Sequence, residues 1–336
     1  MTTLAPSFQA FVESTAGDTF LRADESFPEA WHCWSDAERH AVLQAWGSGR
    51  PLLVRGEPGC GKSQLARAVA AVLGVRLFPV VIHPRFEAQD VLFRLDLVER
   101  LAQAQVLAQS GAGIEALALR HFVRKGRLWE AMCADAPLLD GKRRSTDWPR
   151  AVVLIDEIDK ADTDVPNALL EVFANRSFTP PGHEQPWQSP DAHPPLVVIT
   201  TNEDRELPPA FVRRCAVLNL RPDDRNEAGF VQWLLDRART HRSLQALQPG
   251  GSTALLEHAA RQVWRDRESA RALELPTVGL AEYLDLLQSL VRLSGGRADH
   301  AAELLDRLAP YALVKQREQD QQRPPVAAEV ADRTNG

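Results

Sequence analysis

Residues Gly56-Glu57-Pro58-Gly59-Cys60-Gly61-Lys62-Ser63 place two glycines, a lysine and a hydroxyl at the spacing G-x-x-x-x-G-K-[ST]. That spacing suits one chemistry, the cradling of phosphates. Glycines let the backbone turn tightly, so that successive N–H groups converge on phosphate oxygens at a helix N-terminus. Lys62 is expected to reach the β- and γ-phosphates of ATP, while the Ser63 hydroxyl ligates Mg²⁺. The flanks are the required ones. Pro51-Leu52-Leu53-Val54 is a short apolar run, and Gln64 to Leu73 has the apolar spacing of a helix. The stretch from Gly56 to Gln64 is therefore the expected nucleotide-binding segment, against the plainer reading of a glycine-rich turn.

A second group lies downstream, where Val152-Val153-Leu154-Ile155 runs into Asp156-Glu157. A continuously apolar, β-branched run predicts a strand buried on both faces. Acids emerging at its C-terminal end stand where open α/β sheets bind ligands. Asp156 is expected to hold Mg²⁺ and Glu157 to polarise the water that attacks the γ-phosphate. The alternative is the start of a solvated loop. A further apolar run ends in Ile199-Thr200-Thr201-Asn202 and delivers polar groups to the same edge, where Asn202 would orient that water or touch the γ-phosphate. Past Pro208-Pro209 a short helix ends in Arg213-Arg214-Cys215. The two arginines are either ordinary C-terminal helix charge or an arginine finger.

These groups need a scaffold, and the chain predicts one. Ser35-Asp36-Ala37-Glu38 is a capping-box pattern opening a helix. Strands are expected at Pro51–Val54, Leu77–Ile82, Ala151–Glu157, Pro195–Asn202 and Ala216–Leu220, alternating with helices, which implies a parallel sheet with helices on both faces. Two longer connections interrupt the alternation, from about Glu87 to Trp148 and from Arg176 to Pro194. The first predicts a helix with Val91, Leu92, Leu95, Leu97, Val98 and Leu101 on one broad apolar face. It also carries an aromatic stretch from Arg120 to Met132, read either as substrate contact or as packing of the insertion.

The 336 residues exceed one typical domain, and a composition of 44% hydrophobic and 25% charged residues is ample for a core. A net charge of −6 argues against a general electrostatic grip on nucleic acid. Cys33, Cys60, Cys133 and Cys215 lack metal-ligand spacing, and a bridge to Cys60 would obstruct the phosphate loop. Reduced thiols, no signal-like start and no long apolar run predict a soluble, cytoplasmic protein without membrane contact. His183 and His193 bracket a Pro-rich loop at a spacing that fits no metal site.

Taken together, the motifs resemble the AAA+ ATPases and, within them, the MoxR-like branch. The words that carry the resemblance are Gly56 to Ser63, Leu154-Ile155-Asp156-Glu157-Ile158-Asp159-Lys160-Ala161 as Walker B, and Thr201-Asn202 through Leu207-Pro208 to Phe211-Val212-Arg213-Arg214-Cys215. The resemblance spans roughly residues 30 to 315. It implies an α/β fold, a P-loop AAA+ core with a five-stranded parallel sheet between helices, followed by a small all-α lid. The expected parts are an N-terminal extension at 1–29, the core at 30–221, the lid at 222–315 and a disordered tail at 316–336. Three or four lid helices are expected, with helical apolar spacing at Phe230 to Leu235, Leu255 to Val263 and Leu280 to Leu290.

The resemblance also implies a homo-oligomeric ring, usually a hexamer, in which Arg213 or Arg214 reaches the neighbour's γ-phosphate and Asn202 is sensor 1. It implies a client protein or a partner with a von Willebrand factor A domain. The insertions resemble that branch's helical insert and pre-sensor hairpin. Glu274-Leu275-Pro276-Thr277 stands where many relatives carry a sensor-2 arginine, and Arg271 nearby sits in a different context. Leu293-Ser294-Gly295-Gly296 resembles an ABC-transporter signature but reads as a helix stop. Two other readings are a nucleotide-dependent switch with slow hydrolysis and a DNA-directed AAA+ protein, a loader or a McrB-like translocase. The motifs leave ATP and GTP both open.

Overall fold

Uninterrupted apolar runs bounded by turn residues become the central strands, because a strand covered on both faces has no polar alternation. The computed structural model describes residues 5–110, 114–133, 138–139, 142–143, 149–175, 177–188 and 194–313. In it Leu52–Arg55 (β1), Arg76–Val81 (β2), Ala151–Asp156 (β3), Leu196–Thr201 (β4) and Ala216–Asn219 (β5) form one parallel sheet in the order β5-β1-β4-β3-β2. The five expected strands are present, with ends displaced by no more than a residue. Leu52, Leu53, Val54, Val152, Val153, Ile155, Val198 and Ile199 are fully buried. Each large apolar side chain so placed stabilises the sheet by about 1.5–3 kcal/mol. Among the described residues β2 pairs only with β3, and an edge strand accommodates Pro79, which has no N–H to donate.

The chain divides into two compact units. One runs up to Glu57 and from Lys62 to Leu220; the other takes Pro58–Gly61 and continues from Arg221. In the first unit helix α1 (Pro6–Ser14) buries Phe11 edge-on to Trp34 and Trp46, and Thr19–Leu21 pairs antiparallel with Ala30–His32. Helix α2 (Asp36–Ser48) opens at the predicted capping box. The Glu38 N–H donates to Ser35 Oγ at 3.3 Å, and Glu38 Oε2 accepts the Ser35 N–H at 2.6 Å. Helix α3 (Lys62–Leu73) follows the glycine-rich loop directly.

The first insertion differs from its sequence reading. The expected helix over residues 91 to 101 is divided into a turn at Ala88–Val91, a strand Phe93–Leu95 paired with Val123–Lys125, and helix α4 (Leu97–Ser110). The cause is Asp96, whose carboxylate accepts the Glu99 N–H at 2.9 Å and so caps the helix after Leu95. Val91 and Leu92 are buried, whereas Leu97, Val98 and Leu101 are exposed, so the six apolar residues share no face. The aromatic stretch follows the packing alternative. Phe122 and Trp129 are buried, and the Trp129 ring lies 5.0 Å from Phe178 and 5.7 Å from Trp187. Those two belong to a short hairpin, Ser177–Phe178 with Trp187–Gln188, in the second insertion. Helix α5 (Arg127–Met132) carries Trp129 to this seam.

The second unit is all-helical among the described residues, with α8 (Glu227–Thr240), α9 (Ala254–Ala272), α10 (Leu280–Ser294) and α11 (Ala298–Leu313), after helices α6 (Asp164–Asn175) and α7 (Pro209–Val212) of the first. Phe230, Leu234, Leu256, Val263, Tyr283, Leu287 and Leu305 build its core. α10 stops at Ser294, ahead of Gly295-Gly296, as a helix stop requires. The tail expected from 316 to 336, like His193, lies outside the described residues.

The fully buried Arg267 donates to Thr277 Oγ1 at 2.9 Å, to the Val278 carbonyl at 3.0 Å and to Asp224 at 3.2 Å. Arg271 also pairs with Asp224 and, at 3.0 Å, with Glu268. Burial opposes the Asp224 charge, but the hydrogen bonds from Arg267 and Arg271 outweigh it and hold the carboxyl below its ordinary range. A carboxyl depressed in the folded state stabilises above its unfolded value of about 3.9 and loses that contribution as pH falls through the folded value. Asp224→Asn should cost about 1–3 kcal/mol in urea unfolding at pH 7. The difference from the parent should shrink as pH drops below about 3.9.

Candidate active site

Backbone conformation comes first at the glycine-rich loop. Gly59 has φ +75° and Gly61 φ +101°, values that a residue with a Cβ adopts only under strain. The turn delivers Lys62 and Ser63 to the first residues of α3, with Gln64 half-buried behind them. Lys62 is only 6% exposed, and its Nζ donates to the carbonyls of Gly56 at 2.8 Å and Glu57 at 2.7 Å. The ammonium is thus folded over its own loop, with Cys60 buried and Pro58 exposed.

The end of β3 meets that loop. The Ser63 hydroxyl donates to Asp156, 2.8 Å from Oδ1 and 3.0 Å from Oδ2. The β4 residue Thr200, fully buried, donates its hydroxyl to Asp156 Oδ1 and accepts the Glu157 N–H at 2.9 Å. Glu157 itself has φ 60° and ψ 53°, the left-handed region. Asn202 Nδ2 donates to Glu157 Oε1 at 3.3 Å, and Lys160 Nζ donates to Glu157 Oε2. That hydrogen bond raises the Lys160 ammonium above its ordinary range, so it stays charged.

Ser63, Asp156, Glu157 and Asn202 are therefore brought together. Arg213 and Arg214 are not. They are exposed at the C-terminal end of α7, and neither guanidinium pairs with a carboxylate among the described residues. Sequence reasoning missed Thr200 and Lys160 as partners of the acids. The signal for Thr200 was a pair of hydroxyl residues, Thr200 and Thr201, closing an otherwise apolar strand. Lys160 follows Glu157 by three residues, which a single helical turn places on the same side.

The donor set fits Mg²⁺, a hard cation that takes a few protein oxygens and keeps the rest of its shell for water and phosphate. Ser63 Oγ and the Asp156 carboxylate are such oxygens, already within hydrogen-bond distance. No group of three or more His, Cys, Asp or Glu side chains among the described residues could hold a metal ion on its own. A phosphate cradle, an oxygen pair suited to Mg²⁺ and a carboxylate steered by an amide and an ammonium can activate water against a terminal phosphoryl group.

Residues 51–215 match the family model of the AAA domain, dynein-related subfamily. The chain is 28% identical over 236 residues to chaperone protein ClpB 1 of Nostoc sp., covering 69% of this chain and 22% of that protein. It is 30% identical over 179 residues to chaperone protein ClpB of Lactiplantibacillus plantarum, covering 51% of this chain and 17% of that protein. The chain thus spans about a fifth of the length of these relatives. Among solved structures, the RuvB Holliday junction branch migration motor of Thermotoga maritima aligns with TM-score 0.38 at 15% identity, over 81% of this chain and 67% of that one.

Thr200→Val keeps the volume of the side chain and removes the hydroxyl that links Asp156 to the Glu157 backbone. Steady-state nucleoside triphosphate turnover should fall about 10- to 100-fold, with nucleotide affinity by calorimetry changed less than about threefold.

Proposed function

We propose that this chain, built around an AAA+ P-loop ATPase domain at residues 51–215, is an ATP-hydrolysing ring motor of the MoxR-like type that remodels or helps mature a protein partner. The observation that carries the reading is the meeting of Glu157 with Asn202 beside the Ser63–Asp156 pair. A carboxylate in that position, held by an amide on one oxygen, takes a proton from the water that attacks the γ-phosphorus. The new P–O bond then forms as the bond to the β-phosphate oxygen breaks.

Backbone N–H groups of the loop and the Lys62 ammonium hold the triphosphate. Ser63 and Asp156 are the residues that would hold Mg²⁺, which supplies neutralising charge to the phosphate oxygens. Asn202 aims the base, and Lys160 holds its second oxygen. Arg213 or Arg214, exposed and unpaired with any acid of the described chain, completes the site of a neighbouring subunit. The MoxR-like assignment is supported by the order and spacing of the motif words and by a short hairpin ahead of β4. Similarity to ClpB chaperones supports a protein client. A von Willebrand factor A domain protein is the partner that the motif resemblance favours.

Glu157→Gln should preserve nucleotide binding while blocking hydrolysis. Light scattering of that variant should show a rise to a hexamer with Mg-ATP and a smaller species without it. A monomer under both conditions would favour a nucleotide switch or an assembly that needs another protein.

If an arginine acts in trans, either Arg213→Ala or Arg214→Ala should lower turnover of the assembled protein by about 10³-fold or more. Binding of ATP to the isolated subunit should be unchanged. Full turnover in both variants would remove the finger assignment.

A further inference from the structure

Asp159 stands two residues beyond the proposed base, inside the single turn Ile158–Lys160 that follows β3. It is only 3% exposed, and a carboxylate withdrawn from water needs donors. Oδ2 finds two on the backbone, the Asn202 N–H at 3.1 Å and the Asp204 N–H at 3.0 Å. Oδ1 is buried without a hydrogen-bond partner among the described residues, so Oδ2 makes the anchoring contacts.

The local backbone explains why the two N–H groups converge. Glu203, between them, has φ 64°, and its own N–H turns away to Thr201 Oγ1 at 3.0 Å. A left-handed residue flanked by inward-facing N–H groups makes a small anion-binding concavity. Here the anion is a side chain of the same molecule.

We infer that Asp159 is a positioning residue for hydrolysis, acting through Asn202. Asn202 is fastened twice to one short segment: its backbone to Asp159 and its side chain to Glu157 Oε1 at 3.3 Å. Movement of the turn therefore carries base and amide together and preserves their contact. The inference rests on the proposed roles of Glu157 and Asn202 in turnover.

The test is a double-mutant cycle on the full chain in its assembled state, read as kcat and, separately, as ATP affinity. Asp159→Ala should lower kcat about 10- to 100-fold and change ATP affinity less than about threefold. Asp159→Asn keeps an oxygen acceptor and should retain kcat within about threefold. In an Asn202→Ala background, Asp159→Ala should cost less than about twofold more, because the group it positions is gone. Should Asp159→Ala fail to fold by circular dichroism, Asp159→Ser, whose hydroxyl is too short for both donors, takes its place with the same expectation.

An equal loss from Asp159→Ala in both backgrounds, or a loss in Asp159→Asn as large as in Asp159→Ala, would overturn the inference and leave the reading of the site intact. Full turnover in Asn202→Ala alone would overturn it together with the Asn202 role.

Discussion

Parallel pairing of β3 with β4 sets Ile155 beside Ile199 and brings two strand ends level, so that Asp156 and Glu157 emerge next to Thr200 and Asn202. The side-chain period of a strand is two residues, and a slip of one would turn Thr200 away from Asp156 and remove one of the two hydroxyls that donate to that carboxylate. Apolar residues on both faces hold the paired strands in the core: Val152, Val153, Val198 and Ile199 are all buried. Packing that carries no chemistry thus decides which polar groups meet. β1 adds the third member from the other side of β4, since Thr200 lies opposite Val54 just before the glycine-rich loop begins.

The polar groups at this edge work as a network. Asp156 accepts from Ser63 and Thr200, Thr200 accepts from the Glu157 backbone, and Glu157 accepts from Asn202 and Lys160. Around the buried Thr200 such bonds strengthen one another, and a missing partner costs more than the bond was worth. The same logic separates Arg267 in the helical unit, a buried cation whose two terminal nitrogens bond to Thr277, Val278 and Asp224, from Arg213 and Arg214, which stay in solvent.

Much of the fold was legible because its signals are local. The run Ala151 to Ile155 has one reading as a strand, and Ser35 with Glu38 has one as a helix start. The glycine-rich loop ahead of α3 announces itself by residue type and spacing alone. The first insertion was misread because apolar periodicity outweighed one capping residue, Asp96, that ends the strand and begins the helix. Thr200 and Lys160 were hidden for another reason: their importance lies in partners across the sheet or around a turn, and no one-dimensional pattern states which oxygen a hydroxyl will find. The lid helices agree with the expected three or four, and α8 to α10 follow plain helical spacing, while α11, with Pro310 inside it, has no residues named in advance.

Glu157 occupies the left-handed region at φ 60°, a conformation that costs a residue of its type about 1–3 kcal/mol and that glycine or asparagine would adopt with ease. Neither replacement keeps the carboxylate. Selection for heat resistance and selection for turnover therefore pull this position in opposite directions. In an ancestral lineage released from the need to hydrolyse, glycine or asparagine would be the favoured replacement here. Such a residue, found at this place in a descendant, would mark a site that has given up its carboxylate rather than one that has been retuned.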